Sequence, residues 1–133
     1  MELYLIRHGQ STNNFLMEDQ SLRSQDPELT DTGKEQAKTL ANYLATGINR
    51  ERLVRYLPDA PERQQAQPFI ITHLYCSAMY RAMQTAQPIA AALKLKPEIW
   101  LDIHEHGGIY LKKNGVATGY SGRTRAEITS EFP

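Results

Sequence analysis

The sequence predicts an α/β domain, a mostly parallel sheet flanked by helices, and three observations carry that expectation. Short apolar runs at residues 2–7, 69–76 and 98–103 are separated by helical patterns, and strands alternating with helices imply parallel pairing through crossovers. The first run, Leu3-Tyr4-Leu5-Ile6, stops abruptly at Arg7-His8-Gly9. A buried strand that delivers polar groups to its carboxyl edge reads this way, and that edge is where open α/β sheets bind ligands. The length of 133 residues, with 41% hydrophobic and 23% charged positions, suits one domain with its own core, spanning residues 1–133.

The elements follow in order. Residues 10–28 are polar and irregular, with Asn13-Asn14 and Asp26-Pro27, and read as a surface loop. A helix then starts at Thr32-Gly33-Lys34-Glu35, which has the form of a capping box, with Ala37, Leu40, Ala41 and Leu44 on one face and Gly47 as its stop. Residues 48–69 carry four arginines and three prolines and read as a solvated insertion with one helical turn around Leu53-Val54. After the second strand, Ala82, Ala86, Ile89, Ala90 and Leu93 form a stripe that Pro88 interrupts or kinks. Residues 107–122 hold five glycines and read as a mobile loop over a site. Arg125 to Phe132 opens a further helix.

Composition narrows the function. Lys plus Arg and Asp plus Glu both number 15, so the basic footprint of a nucleic-acid binder is missing. No apolar stretch approaches a membrane span and the N-terminus has no signal-peptide pattern. One cysteine, Cys76, precludes an internal disulfide and fits a reducing, cytoplasmic setting.

The chemistry gathers at the strand ends. A phosphoryl group is a dianion at neutral pH, and arginine suits it because its planar fork pairs two oxygens at once. Arg7 follows the first strand and Arg81 lies just past the second, in the first turn of its helix, so neighbouring strands bring both to one edge. Helix N-terminal N–H groups near Ser77 add donors for an anion. His8 sits between these cations. They disfavour the imidazolium, so His8 stays neutral and able to attack phosphorus. Glu105, two residues past the third strand, is placed to protonate the leaving oxygen.

Rival readings are weaker. Cys76 and Arg81 are separated by four residues with no glycine among them, too short a loop to wrap a phosphate, so Cys76 reads as a small buried hydrophobe. His73, inside an apolar run, reads as core. His104 and His106 flank Glu105, but no further ligand cluster accompanies them, and no metal or other cofactor is expected. The glycine-rich stretch lacks the strand-adjacent Gly-Lys-Ser/Thr of a nucleotide loop.

Four segments resemble the histidine phosphatase superfamily, the phosphoglycerate mutase-like proteins. They are Arg7-His8-Gly9-Gln10-Ser11 with Asn14, Leu29-Thr30-Asp31-Thr32-Gly33 leading to Gln36-Ala37, Ser77 to Ala86, and the stretch holding Leu101, Glu105 and Gly108. The resemblance covers nearly the whole chain apart from 48–69. It implies a three-layer sandwich, with His8 as phospho-acceptor, Arg7 and Arg81 as phosphate ligands and Glu105 as acid. It also implies that Gln10 and Asn14 line the pocket and that Thr30 and Gly33 lie near its rim. The family's second catalytic histidine follows a later apolar run. None of His8, His73, His104 or His106 sits in that context, so the chain is read as an N-terminal portion with an incomplete sheet. The implied function is phosphomonoester hydrolysis of a small phosphorylated metabolite. Mutase-type transfer is the alternative, disfavoured because the position before Asn14 is Asn13 where mutases commonly carry an aromatic. An inactive phosphate-binding module is the third reading. The sequence does not specify the oligomeric state.

Overall fold

A computed structural model describes residues 2–16, 20–48, 67–104 and 107–132. Two helices organise it. Helix α2 (Asp31–Thr46) packs along α3 (Tyr80–Leu93), with α1 (Thr12–Phe15) and a 3-10 turn (Gln20–Leu22) preceding them. Strands β1 (Tyr75–Cys76) and β2 (Glu98–Ile99) pair in parallel, with Tyr75 opposite Glu98 and Cys76 opposite Ile99. Strands β3 (Tyr110–Lys113) and β4 (Val116–Gly119) form an antiparallel hairpin, and α4 (Arg125–Glu131) closes the described chain.

The expectation of an α/β chain therefore holds among the described residues, but the sheet is smaller than the apolar runs imply. Residues 2–7 are extended and join no ladder, with Leu5 90% exposed. Of 69–76 only the last two residues pair, and of 98–103 only the first two, after which the chain turns. A strand is defined by its neighbour's hydrogen bonds as much as by its own composition. The apolar runs marked extended backbone correctly, but among the described residues only β1 and β2 find each other.

Helix α2 starts two residues earlier than the capping pattern at Thr32 predicts. Thr30 is the N-cap, its Oγ1 accepting from Gly33 N at 3.1 Å, because Thr30 is the residue with extended φ/ψ and so can turn its hydroxyl back on the first turn. Gly47 ends the helix in the left-handed region, as expected. Phe69 N then donates to Leu44 O at 2.9 Å, returning the chain to that helix end. Pro88 lies inside α3 without ending it. It removes one backbone donor, and the burial of Ala86, Ile89 and Ala90 around it holds the helix together.

The core is the seam between the helices. Ala41, Leu44 and Ile89 form one cluster and Cys76, Met83 and Ala86 another, with Leu74 packed against both. Small alanines at the seam let the helices approach, and each fully buried Leu or Ile contributes about 1.5–3 kcal/mol. The N-terminal segment docks on this seam through Tyr4, whose ring meets Phe69 edge-on at 5.4 Å.

Two further expectations change. Residues 107–122 are largely the β3–β4 hairpin, with Asn114 and Gly115 both at positive φ (51° and 81°). An Asn-Gly pair in that conformation is the tight turn whose twist matches antiparallel strands. The glycines there serve a turn rather than a structureless flap. His73 is exposed, stacked on Tyr75 and hydrogen-bonded to Thr72, because the segment it occupies is not covered. Cys76 is buried, as expected. Helix α4 carries a capping box of Thr124 and Glu127 and is latched to α3. Tyr80 hydrogen-bonds Glu131, Arg123 pairs with Glu131 at 2.6 Å, and the Arg123 guanidinium stacks 3.8 Å above the Tyr80 ring. Among the described residues no helix is long and apolar enough to cross a membrane.

Candidate active site

The chain leaves its extended N-terminal segment at His8 and passes directly over the start of α2. Two glycines make this crossing possible. A Cβ on Gly9 would lie 2.5 Å from Gly33 O, and one on Gly33 would lie 2.1 Å from Gln10 O. Both obstacles are backbone, so no side chain fits at either position. Hydrogen bonds then fix the crossing. Gln10 N donates to Gln36 Oε1 at 2.8 Å, Thr30 N donates to Gln10 O at 2.9 Å, and Thr30 Oγ1 donates to Gln10 Oε1 at 2.8 Å.

Helix α3 supplies the second half. Thr85 accepts from Gly9 N at 3.2 Å and donates to Arg81 O at 2.8 Å, tying the His8 loop to the first turn of α3. Arg81 is buried and donates its Nε–H to His8 Nε2 at 3.0 Å, while its Nη2 lies 3.0 Å from Met79 Sδ. His8 Nδ1 lies 2.6 Å from Gly9 O. Guanidinium nitrogens only donate and a carbonyl oxygen only accepts. Nε2 must therefore carry the lone pair and Nδ1 the proton, which makes His8 a neutral imidazole with Nε2 held beside a fixed cation.

His8 and Arg81 open onto a cavity of about 240 Å³. Ser11, Asn13 and Asn14 of the α1 region form part of its lining. Arg23, Gln25 and Pro27 from the following loop contribute more, and Gly108, Tyr110, Leu111 and Lys112 of the hairpin complete it. Ser11 N and Oγ both donate to Asn14 Oδ1, at 3.1 and 2.9 Å, which orients the Asn14 amide. The Asn13 amide clamps Ser24 in both directions, Nδ2 donating to Ser24 O at 2.7 Å and Oδ1 accepting from Ser24 N at 3.0 Å.

The sequence-predicted residues distribute unevenly over this geometry. His8, Arg81 and Asn14 meet at the cavity. Arg7 is exposed and is not among the lining residues. Gln10, Thr30 and Gly33 do not line it either; their groups are engaged in the crossing described above. Glu105 and His106 lie outside the described residues, as does most of the 48–69 segment, including Leu53-Val54. At the helix N-terminus expected to offer donors, three N–H groups are engaged within the chain. Tyr80 N donates to Asp26 Oδ1 at 3.0 Å, and the N–H groups of Ala82 and Met83 both go to Met79 O. The acidic Asp26 beside a helix start satisfies a donor that the motif alone left open.

Sequence reasoning missed Thr85, Arg23 and Lys112. Thr85 carried a signal, since it sits one turn after Arg81 and a threonine at that spacing can bond the Arg81 carbonyl. Arg23 and Lys112 carried none, because only the fold brings their segments beside His8.

Among curated proteins, none matches this chain. The family model for the histidine phosphatase superfamily (branch 1) matches residues 3–55 and 60–132. The neutral His8 held by Arg81 at the mouth of a cation-lined cavity sits within that match, and the chain belongs to the histidine phosphatase superfamily, branch 1.

Proposed function

We propose that this protein hydrolyses a phosphomonoester of a small metabolite through a phosphohistidine on His8. Family membership supports phosphoryl transfer by this route, and one observation carries the assignment of the residue: His8 Nε2 accepts from Arg81 Nε while Nδ1 is tied to Gly9 O. A nucleophile needs a lone pair on a neutral ring, and this arrangement fixes which nitrogen has it.

In this reading the substrate phosphoryl group displaces Nε2 from Arg81 and takes the guanidinium as its own partner. The Nε2 lone pair attacks phosphorus, the ester P–O bond breaks, and the leaving oxygen takes a proton from Glu105. Gly9 O steadies the cationic ring by keeping its hold on Nδ1–H. Water then attacks phosphorus, the P–N bond breaks, and Glu105 receives the proton that water loses. Inorganic phosphate departs and His8 is neutral again. Arg81 contributes most where negative charge builds on the transferring oxygens. Arg7, Asn14, Gln10, Thr30 and Gly33 keep the supporting roles the family pattern gives them, the last three through the crossing that seats His8. Family membership also supports the larger three-layer arrangement around the helix pair, and a single buried cysteine fits a cytoplasmic setting.

Acid-quench trapping with a ³²P-labelled monoester tests the proposal. The wild-type protein is expected to accumulate acid-labile label and to release phosphate steadily, and His8→Ala to do neither. Label on the His8→Ala variant would overturn the assignment. Transfer to an added alcohol in preference to water would favour the mutase reading, and a burst without turnover the binding-module reading. Glu105→Gln should slow esters of poor leaving groups far more than nitrophenyl phosphate, which needs no acid.

A further inference from the structure

We propose that Thr85 and Gln36 are a pair of positioning residues that act through Gly9, holding the carbonyl against which the His8 ring is set. The inference rests on the phosphohistidine reading and extends it to two side chains outside the described lining of the cavity.

The need for such residues comes from Gly9 itself. The close approach of Gly33 O leaves no room for a Cβ there, so the position has to be glycine, the residue whose backbone its own sterics fix least. Yet Gly9 O is the group that His8 Nδ1 meets at 2.6 Å. A carbonyl on so soft a residue steadies a ring only if something else fixes the two peptide planes that join at its Cα.

Each plane has its own anchor. The plane joining His8 to Gly9 is held through Gly9 N, which donates to Thr85 Oγ1 at 3.2 Å in a buried setting. The plane joining Gly9 to Gln10 is held through Gln10 N, which donates to Gln36 Oε1 at 2.8 Å. In a trans peptide the N–H and the C=O point in opposite directions. The bond to Gln36 therefore aims Gly9 O away from α2 and toward His8. Thr85 reaches in from α3 and Gln36 from α2, so the packing of the two helices sets the ring.

The side-chain types suit the task. Thr85 is 5% exposed, and a buried hydroxyl is costly unless it is bonded. It gives its proton to Arg81 O at 2.8 Å, which leaves its oxygen to accept from Gly9 N. Gln36 is exposed on α2, and its amide oxygen is the end that can accept. In the proposed reaction the phosphoryl group draws Arg81 away from Nε2. Gly9 O then keeps its hold on Nδ1–H, and the ring stays turned toward phosphorus while it becomes cationic.

Proton NMR of the ligand-free protein reads this contact without reference to turnover. The Nδ1–H of His8, identified by its loss in His8→Ala, is expected far downfield and slow to exchange with water, as a short hydrogen bond requires. In Thr85→Val it should move upfield and exchange about tenfold faster, whereas Thr85→Ser, which keeps the hydroxyl, should hold it. Gln36→Met should produce a smaller shift in the same direction, at an exposed position whose change leaves the fold intact, and Gln36→Glu, which keeps an acceptor, should not. Hydrolysis of nitrophenyl phosphate gives the second readout. Thr85→Val should lower kcat about tenfold to a hundredfold and Gln36→Met about threefold to tenfold, both with KM little changed. A resonance unmoved in both Thr85→Val and Gln36→Met would overturn the proposal, as would equal losses in Gln36→Glu and Gln36→Met, or a raised KM with kcat intact. A resonance that moves as expected in a protein that forms no phosphohistidine would sink the catalytic reading and leave the positioning role standing. Phosphohistidine formation with an unmoved resonance would do the reverse.

Discussion

Arg81 and His8 are joined by a hydrogen bond in which the guanidinium Nε–H points at the imidazole Nε2 across 3.0 Å. The contact does two jobs before any substrate arrives. It selects the tautomer of His8, and in the proposed function it holds a cation where the phosphoryl oxygens come. Both follow from a donor that is planar and permanently charged.

Arg81→Ala should therefore cost about 2–4 kcal/mol of transition-state stabilisation, roughly 30- to 1,000-fold in kcat/KM. Arg81→Lys should recover only part of this, since an ammonium cannot reproduce the fork. Steady-state hydrolysis of a simple monoester is the measurement. A rate for Arg81→Ala within threefold of wild type would remove Arg81 from the mechanism.

The crossing at Gly9 and Gly33 gives a prediction about stability. In Gly33→Ala the new Cβ meets Gln10 O at 2.1 Å, and because the obstacle is backbone the strand of chain bearing His8 has to shift. The expected loss is about 1–3 kcal/mol of stability in urea unfolding, together with lower kcat/KM. Gly119→Ala is the control, since a Cβ there meets nothing within 4 Å, and it should stay within about 0.5 kcal/mol of wild type. Similar losses for the two variants would mean that the close approach is unimportant.

Cys76 offers a pH test. Burial pushes its thiol up from the ordinary range, because the apolar cluster with Met83 and Ala86 disfavours a thiolate. A raised folded-state value means that stability is at its full level below the unfolded thiol's pKa and declines as pH rises from there through the folded one. Below that window iodoacetamide should label the native protein slowly and the urea-unfolded protein fast. Rapid native labelling at neutral pH would show that Cys76 is a reactive, accessible thiol rather than core.

Much of this was legible in the residues because it is local. Gly47 as a helix stop and the alanine-rich faces of α2 and α3 both follow from short-range rules. The strands were harder. Leu3 to Ile6 and Phe69 to Leu74 have strand composition, yet pairing depends on neighbours that composition does not name, and of the three apolar runs only the Tyr75–Cys76 and Glu98–Ile99 stretches pair among the described residues. The glycine-rich stretch misled for a related reason. Counting glycines at 107–122 hid the Asn114-Gly115 turn, whose two residues are those that accept positive φ most readily. At the site, His8, Arg81 and Asn14 were legible as residues that meet at one cavity, whereas the close backbone approach at Gly33 leaves no trace in the sequence except a glycine. Arg23 could not be found from sequence, since only the fold brings its segment to the cavity.

The Thr85 hydroxyl reaches a backbone group 76 positions away, accepting from Gly9 N while it donates to Arg81 O. No short piece of this chain can assemble the candidate site, because its two halves exist together only once α3 has docked on the N-terminal loop. Ligand occupancy and folding are thus thermodynamically linked. An anion that binds only the docked state stabilises it by RT ln(1 + [L]/Kd), about 2.7 kcal/mol at a hundredfold excess over Kd. On the proposed function, substrate supply would then act as a chaperone for the fold, and a protein without substrate would be the less stable one.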